Sequence, residues 1–176
     1  LDEDSLKEYT QIIINEADRL QNLMNRMLTP HQMPVYKKTN IHEILERVRS
    51  LILSEFPSDI TFIRDYDVSL PEFIVDREKL IQAILNIARN GAQAMKFSNQ
   101  GNMKLSFVTR AERQIVFRKK KHATAIRIDI IDNGPGIKNE LIDKIFFPLV
   151  TGKENGSGLG LSLSQNLISL HQGMID

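Results

Sequence analysis

Ile126-Arg127-Ile128-Asp129-Ile130-Ile131 runs straight into Asp132-Asn133-Gly134-Pro135-Gly136, and Gly156-Ser157-Gly158-Leu159-Gly160-Leu161 follows 20 residues after Gly136. The first stretch is an alternating, then continuously apolar strand that ends in a turn. Its glycines let a flat ring approach the backbone. An ionised Asp132 accepts hydrogen bonds and cannot donate them, so it selects an exocyclic amine over a carbonyl. The second stretch opens a helix, Leu159 to Gln172. Backbone N–H groups at a glycine-rich helix start form an anion site. No Gly-Lys-Ser/Thr closes this loop, so it is not a Walker loop. No strand leads into it, so it is not a dinucleotide fingerprint. A plain turn and a flexible loop are the structural alternatives to these readings.

Upstream, Lys79 to Met95 reads KLIQAILNIARNGAQAM. Apolar residues cover most of a helix here. Gln82, Asn86, Arg89, Asn90 and Gln93 recur at three or four and form one polar stripe. A solvated face is the ordinary explanation of such a stripe. Two amides one turn apart offer another, because neutral oxygens suit a magnesium ion already held by phosphates and water. Asp76, after the strand-like Phe73-Ile74-Val75, is the expected N-cap of this helix. Between the glycine stretches, a short helix from Asn139 leads to Phe146-Phe147-Pro148, and Thr151 to Ser157 has the composition of a mobile lid.

Composition bounds the rest. The chain has 176 residues, 41% of them hydrophobic, and no cysteine. That is enough for one core, and it excludes a disulfide scaffold and a thiolate metal site. No run of 18 apolar residues and no signal peptide are present, so no membrane role and a cytoplasmic location are expected. A net charge of +1 gives no electrostatic case for nucleic acid. Arg118-Lys119-Lys120-Lys121 is the local exception, expected at a solvated hairpin turn.

Asn86-x3-Asn90, DNGPGI, Phe-Phe-Pro and GSGLGL together resemble the N, G1, F and G2 boxes of the histidine-kinase ATP-binding domain, from the superfamily shared with DNA gyrase, Hsp90 and MutL. Ile63 to Glu72, NIARNGAQAM, the long hairpin from Thr109 to Ala125 and FFPLVTGKENGSGLGLS are similar to the nitrogen-regulation branch of these kinases. The resemblance implies a Bergerat-type α/β two-layer sandwich, a mixed sheet covered on one face by helices, with a coiled-coil-like N-terminal helix. It implies ATP and Mg2+ as cofactors. ATP-binding residues carried over are Asn86, Arg89, Asn90, Asp132, Gly134, Gly136, Ile137, Lys153, Gly156, Ser157, Gly158, Leu159, Gly160 and Leu161. Asn86 and Asn90 are the catalytic pair, and Asn90 is the metal ligand. Hydrolytic relatives place a water-activating glutamate four residues before the metal asparagine. Here Asn86 stands there, and an amide is no general base at neutral pH. The expected reaction is therefore transfer of the γ-phosphoryl group to a histidine. A hydrolytic ATPase or a non-catalytic nucleotide-binding regulator is the alternative.

The acceptor histidine is absent from the four histidines present, His31, His42, His122 and His171. His42 begins His-Glu but lacks the following Asn-Pro, and it falls inside a helix capped by Asn40 and Glu43. It is expected on that helix's surface. Leu6, Ile13, Leu20 and Met27 recur every seven residues, which fits either a helix packed on its own domain or a coiled coil. The resemblance favours the second helix of a dimerisation hairpin over residues 1–28, a linker at 29–38 and the catalytic domain, C-terminally incomplete, at 39–176. Implied partners are the histidine-bearing dimerisation domain of the same protein, an NtrC-like response regulator and a PII signal protein. A homodimeric full-length protein is expected. Strands are expected near Thr61–Asp65, Phe73–Val75, Met103–Thr109, Gln114–Phe117 and Thr124–Asp132, with a further strand starting at Gly173.

Overall fold

The computed structural model describes residues 9–10, 33–57, 60–98, 101–117, 119–152 and 157–176. The heptad positions Leu6, Ile13, Leu20 and Met27 and residues 29–32 of the linker lie outside these. Strand β1 (Tyr36–Thr39) pairs antiparallel with β3 (Phe73–Asp76). Strand β2 (Ile60–Asp65) lies parallel to β4 (Met103–Phe117), and β4 lies antiparallel to β5 (Lys120–Asp132). The helices are α1 (Ile41–Glu55), α2 (Arg77–Phe97), α3 (Asn139–Ile142) and α4 (Gly160–Leu170).

The two long helices start as their sequences require. Asn40 Oδ1 accepts the His42 N–H at 2.9 Å, and Asp76 Oδ1 accepts the Lys79 N–H at 3.1 Å. Each cap satisfies a donor that the first helical turn leaves unpaired. Ile41, Ile44, Leu45, Val48 and Ile52 of α1 are buried, as are Leu80, Ile81, Ile84, Ala88, Ala92 and Met95 of α2. They pack with Leu105 and Phe107, alternate residues of β4 that point to the same face of the sheet. This is the expected two-layer α/β arrangement, with the helices on one face. Among the described residues no helix is long and apolar enough to cross a membrane.

Several elements depart from the sequence reading. Tyr36–Thr39, read partly as linker, forms β1. β4 is continuous where two strands were expected. Gln114 takes a φ of 54°, and the pairing resumes in the same register on either side of it, Arg113 with Thr124 and Ile115 with His122. One twisted residue thus absorbs the irregular stretch without ending the ladder. α3 stops at Ile142, followed by turns whose bonds run from Lys144 N to Leu141 O and from Phe147 N to Lys144 O. Gly173–Asp176 is not a strand.

His42 is not a plain surface residue. It is half-buried, its ring stacks on Tyr66 at 4.7 Å, and its Nε2 lies 3.1 Å from Thr109 Oγ1. Thr109 is fully buried; its Oγ1 accepts the Asp67 N–H and shares a further hydrogen bond with His42 Nε2.

Candidate functional site

The end of β5 and the middle of α2 meet at Asp132. A Cβ built on Gly91 would stand 2.9 Å from Asp132 Oδ2, so the carboxylate passes the helix where it has no side chain. Asp132 Oδ1 accepts the Gly134 N–H at 2.8 Å. A Cβ on Gly134 would meet that oxygen at 2.7 Å and Met95 Cγ at 3.2 Å. The turn is therefore pressed onto α2, with Asp132 still exposed to solvent. Asn133 holds the turn from the other side. Its Oδ1 accepts from Lys104 N at 2.8 Å and its Nδ2 donates to Asn102 O at 2.9 Å. Gly136 has a φ of 77° with open space around it, so conformation alone selects glycine there.

One turn further along the site, Asn90 faces the start of α4. The nearest atom to a Cβ built on Gly160 is Asn90 Nδ2, at 3.8 Å. The N-cap position, Leu159, supplies no side-chain acceptor. The first N–H groups of α4 thus depend on an outside acceptor. Ser164, fully buried one turn on, donates to Gly160 O and Ala83 O at 2.9 and 3.1 Å and fixes α4 against α2. Asn86 and Asn90 are half-buried on α2.

The site residues read from the sequence do not all converge. Asp132, Gly134, Asn90 and Gly160 do. Ile137 is exposed after the turn. Ser157, Leu159 and Leu161 flank the start of α4, and Lys153 and Gly156 lie outside the described residues. Arg89 has a partner on α1. Its guanidinium makes a bidentate pair with Glu55, Nε to Oε2 at 2.8 Å and Nη2 to Oε1. Glu55 raises its already high proton affinity. The arginine thus bridges α1 and α2. Gly158 also holds the backbone together. Its φ is 64°, its O accepts the Leu149 N–H at 3.0 Å, and a Cβ would stand 2.5 Å from Leu149 C. Glycine is required there by the crossing of two backbone segments, before any ligand is considered. Gly91 and Met95 were missed. A glycine inside a helix of good formers costs about 1 kcal/mol relative to alanine, which was the available signal of a close approach.

The donor set suits a nucleotide polyphosphate. Uncapped N–H groups face one end of the cleft and a carboxylate faces the other. Among the described residues no group of three or more His, Cys, Asp or Glu could hold a metal by itself. A cation here would be held chiefly by phosphate oxygens and water, completed by an amide oxygen.

The chain is 47% identical over its whole length to the sensory histidine kinase/phosphatase NtrB of Vibrio alginolyticus, of which it covers 50%. It thus spans about half the length of the curated relatives it matches. It superposes with a TM-score of 0.60 and 26% identity on the nucleotide-free catalytic domain of the histidine kinase ThkA, over 77% of this chain and 80% of that one. The same kinase in complex with the response regulator TrrA gives 0.63 over 98% of this chain and 47% of that one, at 24% identity, a likeness of fold. The profile of the family described as "Histidine kinase-, DNA gyrase B-, and HSP90-like ATPase" matches residues 75–176, more than half the chain, and the chain belongs to that family.

Proposed function

We propose that this chain carries the ATP-binding catalytic domain of a sensor histidine kinase of the nitrogen-regulation type. It binds Mg-ATP and passes the γ-phosphoryl group to a histidine on a separate dimerisation domain of the same protein. The observation that carries this reading is the placement of Asn90 opposite the uncapped start of α4, with Asp132 packed against the neighbouring Gly91. Asp132 receives the adenine amino group. The α4 N–H groups, with Ser157, Gly158, Leu159, Gly160 and Leu161 around them, receive phosphate. Lys153 and Gly156 belong to the loop that covers the phosphates. Asn90 completes a magnesium shell, and Asn86 stands where a water-activating base would be needed for hydrolysis. Magnesium held there by phosphate, water and the Asn90 amide would supply neutralisation of phosphate charge. A response regulator of the NtrC type receives the group next, and a PII signal protein sets the balance; the likeness to NtrB supports both. The full-length protein is a cytoplasmic homodimer.

The test mixes the chain with labelled ATP, Mg2+ and a separately produced histidine-bearing helical domain. Label on the histidine is expected, and lost in Asn90→Ala. Free phosphate alone would indicate a hydrolase, and neither product a binding module. In calorimetry, Asp132→Asn sets an amide donor against the adenine amine and should weaken ATP by about thirty-fold, the equivalent of about 2 kcal/mol. Wild-type affinity in that variant would remove Asp132 from the site.

A further inference from the structure

His171 lies at the opposite end of α4 from the glycine loop, and its hydrogen bonds join three elements. Its Nε2 lies 3.0 Å from the Asp76 backbone N, and its Nδ1 lies 2.7 Å from Leu167 O. An N–H faces one nitrogen and a carbonyl faces the other. The partners therefore fix a neutral ring with its proton on Nδ1. The Asp76 amide it holds is the last of β3, and the Asp76 carboxylate caps α2 through Lys79 N and takes Val35 N on Oδ2 at 3.0 Å. Tyr36 packs edge-on against the imidazole at 5.9 Å and donates its hydroxyl to Leu170 O at 3.2 Å.

The carbonyls that close α4 are all accounted for. Leu167 O takes His171 Nδ1, Ile168 O takes Gly173 N, Ser169 O takes Gln172 N and Leu170 O takes Tyr36. Gln172, with a φ of 59°, supplies the left-handed residue of this C-terminal motif. Of these bonds one, from Tyr36 to Leu170 O, comes from outside α4 and its own tail. The Asp76 N–H given to His171 is a second tie from outside. At the other end, α4 has no side-chain cap; it packs along α2 with Leu167 buried, and Ser164 and these two ties hold it there.

We propose that His171 is a positioning residue of the nucleotide site. Through Asp76 it fixes the far end of α4 to the start of α2, so that the first turn of α4, 11 residues away, stands opposite Asn90. The idea rests on the ATP reading above. It places the alignment of the two site helices under the control of the segment that enters β1, because Val35 and Tyr36 bind the same junction.

Three substitutions separate the two nitrogens. In His171→Gln the amide oxygen replaces Nε2 and still accepts from Asp76 N. In His171→Asn the amide replaces Nδ1, serves Leu167 O and falls short of Asp76. His171→Phe keeps the ring against Tyr36 and makes neither bond. The readouts are amide exchange at Leu161 to Ser164 without nucleotide, Mg-ATP affinity by calorimetry and the thermal midpoint. Exchange at the first turn of α4 should be faster in the Asn and Phe variants and near wild type in Gln. Affinity should fall roughly five- to ten-fold in Asn and Phe, the equivalent of one hydrogen bond's worth of alignment, and recover in Gln. The midpoint of the Asn variant should stay close to that of Gln. Unchanged exchange and affinity in Asn and Phe would overturn the proposal, as would a Gln variant no better than Phe. If the wild-type chain binds no ATP, the nucleotide reading fails, and exchange in the free protein still decides the role of His171.

Discussion

His42 shows what a single residue owes to its surroundings. Burial beside β4 holds its proton affinity below the ordinary value, while Asp67 and Glu46 pull the other way without reversing it. The unfolded chain therefore binds this proton more readily than the folded one, and stability contributed by the site is full above about pH 6.5 and declines as pH falls through that value. The depressed carboxyls act elsewhere. The pairs of Asp65 with Arg110 and of Asp129 with Arg127, and the bonds of Asp67 to Ser69, move those groups below the ordinary carboxylate range. Their stabilisation is lost only at lower pH. Urea midpoints measured from pH 7 to 5 should fall more steeply in the wild type than in His42→Gln, which keeps an acceptor for Thr109 and does not titrate. Equal slopes would mean that His42 is not the titrating group. None of this was legible in the sequence, where His42 reads as one more polar residue on a helix. The stack with Tyr66 joins residues 24 positions apart, and only the folded register of β4 brings Thr109 to them. Asp132 and Asn90 were legible because their meaning lies in order and spacing along the chain. The Arg89–Glu55 pair was not, since it depends on how α1 lies against α2.

The elements around the site differ in what a substitution does to them. Gly158 and Gly160 look equivalent in sequence and are opposite in structure. At Gly158 a methyl group would meet the Leu149 and Val150 backbone at 2.5 to 2.7 Å, in a left-handed conformation that costs an L-residue about 1–2 kcal/mol. At Gly160 the nearest atom is 3.8 Å away, and the residue already belongs to α4. Gly158→Ala should therefore open the Leu149–Gly158 crossing in the free protein, seen as faster exchange of the Leu149 amide, and should weaken nucleotide binding as a consequence. Gly160→Ala should leave exchange at Leu149 as in the wild type, so any loss of affinity there measures backbone approach to phosphate. The same exchange in both variants would show that the crossing does not depend on Gly158. Strand β1 was hidden in the sequence for a different reason. Its four residues include two lysines, and its pairing partner lies 34 to 40 residues downstream.

At the scale of the molecule, β2 accompanies β4 only as far as Val108, the pair Ala111 and Ile126 still packs on the core, and beyond it β4 and β5 continue as a two-stranded arm. Two strands without a third or a helix beneath them are marginal in water. Amides of Glu112 to Val116 should exchange well before those of Leu105 to Phe107, which lie between neighbours on either side over the buried core. Matching protection along all of β4 would show that the arm has support beyond its own pairing. The sequence indicated a long hairpin here but broke β4 in two at Arg110 to Arg113, where Ala111 and Glu112 are poor strand formers, and pairing overrides that preference.

The unbroken register of that arm sets a rule for its length. Each residue of β4 except Gln114 is matched to one of β5 from Leu105–Asp132 out to Phe117–Lys120. Removing a single residue from one strand would turn the row Ile126, Ile128 and Ile130 from the helices toward water. Removing one matched residue from each side of the tip would leave that row untouched. The arm can thus shorten or lengthen only in paired steps, and a foreign peptide grafted at Lys119 would ride on it without the nucleotide cleft sensing the cargo.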